Sequence, residues 1–251
     1  MTNARRYFIE LAYNGSNYHG WQVQANASSV QESIQVALST LFRTGISIMG
    51  SGRTDTGVHA RQQFAHFDIG EEVHKGEFLK RLNGLLAGDI AVFDVLAVRS
   101  NAHARFDALW RRYEYHICFR KDPFQAGRAW HCYYDLDLAA MESAAALLLG
   151  KQDFECFSKT KTGVKGFDCE IKSAFWEQTS HGLIFHIKAN RFLRGMVRAI
   201  VGTLVQVGRR QVDMAQFAAI IKSKDRSKAG IAVPAQGLYL SEVHYPRQIF
   251  I

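Results

Sequence analysis

An α+β fold made of two ferredoxin-like halves is what this sequence predicts, and three features predict it. Short runs of branched and aromatic residues alternate with stretches whose apolar residues recur every three or four positions. The order of these patterns is β-α-β-β-α-β, and it occurs twice. Glycine, asparagine and serine mark the joints between them. Residues 7–13 read as the first strand, ending at Asn14-Gly15. Ser28 or Ser29 caps a helix in which Val30, Ile34, Leu38 and Leu41 repeat at helical spacing. Strands over 46–49 and 62–68 follow. Phe78, Leu79, Leu82, Leu85 and Leu86 mark a second helix, and residues 90–98 another strand.

After residues 100–105 the pattern starts again. A strand over 112–119 is followed by an extra one near 129–134 and by an Ala- and Leu-rich helix over 138–149, ended by Gly150. Strands over 172–179 and 183–189 turn at Ser180-His181-Gly182. A helix runs from about Phe192 to Val207, a shorter one over 214–221, and a last strand over 238–245. The halves divide as 1–104 and 105–251. The duplication is one of element order, without a residue-level repeat. Joined side by side, the halves would form one extended mixed sheet, with helices on one face and a broad floor for a ligand on the other.

At 251 residues, 47% apolar and 22% charged, the composition is that of a globular protein with a large core. The formal net charge of +8 favours a polyanionic partner, nucleic acid ahead of membrane, because no basic amphipathic anchor is visible. Cys118, Cys132, Cys156 and Cys169 stand far apart with no C-x-x-C pair, and no signal peptide is recognised. Free thiols in a reducing cytoplasm are expected, with neither disulfides nor a zinc site. No apolar run approaches membrane-spanning length. The ten histidines lack metal-ligand spacing.

The stretch richest in chemistry is Gly50-Ser51-Gly52-Arg53-Thr54-Asp55-Thr56-Gly57-Val58-His59-Ala60, lying between two strand patterns. Its glycines permit backbone angles closed to other residues and a close approach of ligand to main chain. Asp55 stands two residues from Arg53 and between the hydroxyls of Thr54 and Thr56. Both kinds of neighbour favour the ionised carboxylate, which suits a nucleophile or base more than a general acid. The plainer explanation is an exposed turn, but this density of special residues favours a functional loop.

Arg191, Arg194 and Arg198 are three and four residues apart, so the predicted helix would carry them on one face, opposite Leu193, Val197, Ile200 and Leu204. Three arginines with no acid between them point towards phosphate or carboxylate contact, against the plainer idea of a solvated face. Residues 159–166, with Lys159, Lys161 and Lys165, read equally well as an RNA-touching loop or a solvated hairpin tip.

Three functions are weighed. Asp55-Thr56-Gly57 is the tripeptide of aspartic peptidases, but it occurs once, and Arg53 opposes a shared-proton dyad. A non-catalytic RNA-binding module could stack bases on Tyr113 and Tyr115, yet leaves the acid in its glycine cradle unexplained. The third is an enzyme acting on RNA through Asp55. Here the loop, with Gln63 beyond it, resembles the signature of the tRNA pseudouridine synthase A family. Arg111-Arg112-Tyr113-Glu114-Tyr115, Phe192-Leu193 through Met196 to Gly202, and Ala235-Gln236-Gly237-Leu238-Tyr239-Leu240 resemble that family too. The likeness runs from Tyr7 to about Pro246. It departs at Ala199, where relatives commonly carry Asn, and at Thr56, where many have Ala.

The resemblance implies the pseudouridine synthase fold and isomerisation of uridine to pseudouridine at positions 38, 39 and 40 of the tRNA anticodon stem-loop, with no cofactor and no metal. It implies Asp55 as the catalytic aspartate, Arg198 as the cation paired with it, Tyr113 as the aromatic packed on the target uracil, and Arg53 as a holder of the flipped nucleotide or its phosphate. Beside the resemblance, the spacing and charge of Arg191 and Arg194 make them candidates for contact with the RNA backbone, and His59 is expected to shape the loop without transferring protons. It further implies a cytoplasmic homodimer that binds tRNA.

Overall fold

The computed structural model describes residues 4–160, 163 and 166–251. Its ten strands and five α-helices make the α+β class that the patterns predict. They fall into two compact units, Met1–Leu109 with Tyr239–Ile251, and Trp110–Leu238.

In the first unit, β1 (Arg5–Tyr13) lies between β3 (His59–Ile69) and β4 (Ile90–Val98), antiparallel to both. The outer edge of β3 is shared. The two-residue strand β2 (Met49–Gly50) pairs with Ala65 and His66, and further along Tyr239 and Leu240 of β10 (Leu238–His244) run parallel to His59 and Ala60. Helix α1 (Val30–Phe42) is capped by Ser29, whose hydroxyl accepts from the Glu32 amide, so of the two candidate serines the second is the cap. Val30, Ile34 and Leu38 are buried as their spacing predicts. Helix α2 (Lys75–Leu85) buries Phe78 and Leu82, and the rings of Phe42, Phe67 and Phe78 lie 6.0 Å apart in one apolar cluster.

The strand expected over 46–49 is displaced towards the loop, for a specific reason. Ile46 and Ile48 are buried. Their backbone groups bond to side chains of α1: the Ile46 amide to Ser39 Oγ (2.9 Å), the Ile48 amide to Gln35 Oε1 (3.2 Å), and the Ile48 carbonyl to Gln31 Nε2 (2.8 Å). Every backbone group must find a partner, and here a helix supplies what a ladder normally would.

In the second unit the strand order is β5 (Trp110–Cys118), β9 (Gly182–Ala189), β8 (Asp168–Gln178), β7 (Gly150–Asp153), all antiparallel neighbours. The short β6 (Trp130–His131) runs parallel to the end of β5. Helix α3 (Leu138–Ala146) stops earlier than expected. Residue 150, taken from the sequence as its terminator, instead opens β7 at φ 89°. Helix α4 (Met196–Gly208) is buried almost all round, and α5 (Met214–Ser223) carries a capping box of Asp213 with Gln216.

Two polar features mark β1 and β3, an exposed ion pair and a buried histidine. Arg6 grips Asp68 through both carboxylate oxygens at 2.7 Å. His66 on β3 is buried, and its Nδ1 accepts the Ala104 amide at 3.1 Å. Burial, helped by Arg6 and His103 and opposed by Asp68 and Asp107, pushes His66 from 6.5 down to about 4. Because the folded value lies below the unfolded one, this group contributes stability that is fully present above pH 6.5 and is lost as pH falls through 4. Urea unfolding followed from pH 7.5 to 4 is expected to lose stability across that window. In His66→Gln the slope should flatten by up to about 3 kcal/mol, with the remaining slope partly that of His103, also depressed chiefly by burial.

Candidate active site

The Asp55 loop is built as a rigid turn on a buried polar base. Ser51 and Gln63 are both fully buried. The Ser51 amide donates to the Phe64 carbonyl (2.7 Å), its hydroxyl bonds to Gln63 Oε1, and Gln63 Nε2 donates to the Gly52 carbonyl (3.1 Å). At the far end the Val58 amide closes a turn onto the Asp55 carbonyl (3.1 Å), which Gly57 permits by standing at φ 76°. Thr54 meets the Tyr13 hydroxyl at 2.8 Å, so the residue before Asp55 is tied to β1. Asp55 itself is half-buried and Arg53 is exposed. The backbone is fixed while the carboxylate stays within reach of solvent.

His59 lies buried behind the turn. Its Nδ1 accepts the Gly15 amide at 3.0 Å, and its ring stacks on Tyr239 at 4.6 Å. A ring nitrogen used as a buried acceptor holds the neutral tautomer with its proton on Nε2. The loop-shaping role expected of His59 matches this geometry.

A second wall was missed in the sequence: residues 14–21. The Trp21 amide donates to the Thr54 carbonyl (3.2 Å) and the Gly57 amide to the Tyr18 carbonyl (3.4 Å). On its other side the same segment receives the Val30 and Gln31 amides of α1 at 3.3 and 3.0 Å, and so sits between helix and loop. The contact is main chain against main chain. A Cβ on Gly15 would collide with the Val58 carbonyl, and one on Gly20, at φ 95°, with the Thr54 carbonyl. Burial, with the hydrogen bond to Asp89 (2.6 Å), pushes the Tyr18 phenol up to about 12, so it stays a neutral donor that anchors the segment. The signal that could have revealed this wall is the pair Gly15 and Gly20-Trp21 in a stretch with no periodicity, read only as a strand end.

In the second unit Tyr113 and Tyr115 share one face of β5, as alternation requires. Tyr113 is packed edge-on against Phe192, ring centres 5.0 Å apart, and Phe192 is another residue the sequence did not single out as its backing. The common helical face of the three arginines does not form. Helix α4 begins at Met196, and Gly195 precedes it at φ 72°, so Arg191 and Arg194 lie on the irregular segment before the helix and are exposed. A left-handed glycine ends the helical path that spacing alone would continue. Arg198 is on the helix, half-buried, with Nε donating to the Val233 carbonyl at 2.7 Å. In the basic loop, Lys161, Thr162, Val164 and Lys165 lie outside the described residues. Among the described residues no group of three or more His, Cys, Asp or Glu is placed to hold a metal, and no helix is long and apolar enough to cross a membrane.

A family model described as tRNA pseudouridine synthase matches residues 11–107 and 144–246, taking in the Asp55 loop, Phe192 and Arg198. The chain belongs to the tRNA pseudouridine synthase family. It is 48% identical over 247 residues to the tRNA pseudouridine synthase A of Parabacteroides distasonis, covering 98% of both chains. It is 46% identical to that of Porphyromonas gingivalis, over 98% of this chain and 99% of the relative. The likeness to the same-named protein of Thermoanaerobacter sp. is 40%, over 96% of this chain and the whole of the relative.

Gly20→Ala tests whether the two touching backbones hold the Asp55 loop. The added methyl meets a carbonyl that cannot turn aside, at a φ unfavourable to alanine. The expected outcome is a lowered thermal midpoint, corresponding to on the order of 1–3 kcal/mol, together with a catalytic rate lowered at least about tenfold. Gly45→Ala, where nothing lies within 4 Å, is expected to change neither.

Proposed function

We propose that this chain isomerises uridine to pseudouridine at positions 38, 39 and 40 of the tRNA anticodon stem-loop, with Asp55 as the reacting carboxylate. The observation that carries the proposal is the half-buried Asp55 at the head of a turn braced from two sides, in a chain of this family. The C1′–N1 bond breaks, the uracil rotates, and C1′ bonds to C5. The C5 proton leaves and N1 regains one. Nothing is oxidised or reduced and no group leaves the substrate, so the chemistry calls for neither cofactor nor metal. Asp55 could attack C1′, take the C2′ proton or add to C6, and all three begin from a carboxylate.

The other roles follow the resemblance. Tyr113 packs on the uracil, where stacking returns roughly 1–3 kcal/mol of the few kcal/mol needed to draw a base from its stack. Arg198 takes the part of the cation that the resemblance gives it, and Arg53, exposed and two residues before Asp55, holds the flipped nucleotide or its phosphate. Arg191 and Arg194 meet the RNA backbone from an exposed segment, now as separate contacts and not as one helix face. By the same resemblance the enzyme acts in the cytoplasm as a homodimer on tRNA.

Incubation with tRNA tritiated at uridine C5, without metal or nucleotide, is expected to release tritium. Asp55→Asn should stop release with tRNA affinity largely kept, and Tyr113→Phe should slow it with affinity kept. Release at the normal rate from Asp55→Asn would remove that residue from the reaction. Arg191→Ala with Arg194→Ala should weaken tRNA binding and lower the slope of log affinity against log salt by about one to two units. An unaltered slope would return both to the solvated surface.

A further inference from the structure

Residues 230–234 form a strap laid along α4, and every fixed point of that strap bears on Arg198. The Gly230 amide donates to Thr203 Oγ1 at 2.9 Å, while the Thr203 hydroxyl donates to the Ala199 carbonyl at 2.8 Å. A hydroxyl offers one proton and two lone pairs, so both bonds coexist. One turn earlier the Val233 amide donates to the Arg198 carbonyl at 3.2 Å, and Arg198 Nε donates back to the Val233 carbonyl at 2.7 Å. Between these points Gly202 gives the strap room, since a Cβ there would collide with the Ile231 carbonyl. The end of the strap is held from the sheet, where the Tyr115 hydroxyl donates to the Pro234 carbonyl at 2.8 Å. The Thr203 and Tyr115 side chains are fully buried.

A guanidinium is planar, so an anchored Nε sets both its plane and the direction of its outer nitrogens. One anchor here is a carbonyl on an irregular strap, tied at its own residue by the 3.2 Å bond of the Val233 amide to the Arg198 carbonyl and beyond that by the strap's two ends. Thr203 holds one end to the helix that carries Arg198. Tyr115 holds the other to the strand that carries Tyr113, two residues away. We propose that Thr203 and Tyr115 are positioning residues that aim the Arg198 guanidinium through this strap. Neither touches the substrate. Ordinary packing would make both residues matter for stability alone, and the proposal differs in requiring that they act on turnover only through Nε of Arg198. It rests on the role given to Arg198 above.

The test measures single-turnover tritium release, tRNA affinity and thermal midpoint for Tyr115→Phe, Thr203→Val and Thr203→Ser, each alone and combined with Arg198→Lys. Lysine keeps the charge and offers nothing that the Val233 carbonyl could hold in a fixed plane. Tyr115→Phe and Thr203→Val are expected to slow release roughly ten- to hundredfold, with affinity changed less than about twofold, while Thr203→Ser, which keeps the hydroxyl, recovers most of the rate. In the Arg198→Lys background the same changes should cost nothing further, the non-additivity expected of groups acting through one another. Equal losses in both backgrounds, tracking the thermal midpoint, would overturn the proposal. So would a normal rate in Tyr115→Phe and Thr203→Val beside a slow Arg198→Lys. A normal rate in Arg198→Ala would instead overturn the role of Arg198 itself.

Discussion

A loop that offers a side chain to solvent while keeping its backbone immobile must meet two demands that conflict. A loop exposed enough to admit a ligand ordinarily lacks the packing that would hold it still. Here the conflict is resolved by bringing two main chains into contact. Residues 14–21 lie against the Asp55 loop so closely that Gly15 and Gly20 have no space for a Cβ, and amides of each segment bond to carbonyls of the other. Rigidity comes from behind and from the side, through Ser51, Gln63, His59 and Thr54, without covering Asp55. Most of the buried polar groups near the turn serve this purpose. Each is satisfied, Gln63 and His59 by main chain and Ser51 and Thr54 by another side chain, where a group left without a partner would cost about 1–3 kcal/mol.

That constraint explains which parts of the molecule were legible beforehand. Regular elements that bury one stripe announce themselves: β4 spans residues 90–98 as its apolar run indicates, and α1 buries three of the four residues its spacing marks, with Leu41 half-buried. The Asp55 loop was legible because glycine, hydroxyl and charge are crowded into it. The bracing segment was not, because its function depends on what is missing from Gly15 and Gly20, and a missing side chain leaves no period. The strand expected at 46–49 failed for a related reason. Apolar alternation reports which residues are buried, and Ile46 and Ile48 are, but it cannot report that glutamine and serine side chains of a helix take the place of a neighbouring strand.

The arginines show how far spacing can mislead about chemistry. Positions 191, 194 and 198 share a face only if the helix begins before them, and a single left-handed glycine at 195 ends that condition. The consequence is more than a moved boundary. On one solvated face the three would have been interchangeable contacts to a polyanion. In the fold, Arg191 and Arg194 are exposed and Arg198 is half-buried on a helix whose other residues are nearly all buried and apolar or small. A charge so placed is costly unless its donors are matched. The carbonyl of Val233 meets part of that need while also fixing the direction in which the side chain points.

Tyr113 and Tyr115 carry the same lesson in reverse. Alternation puts them on one face of β5 and cannot tell them apart; their surroundings do. Tyr115 is buried to its hydroxyl, which is committed to the Pro234 carbonyl, and burial drives its phenol far above the ordinary range, so it works as a permanently neutral donor. Tyr113 meets Phe192 edge to face, an aromatic contact that bears on the tilt of its ring. Two identical side chains, two residues apart and both buried, thus differ in what holds them: one is tied through its hydroxyl to a strap, and the other is set against a phenylalanine ring.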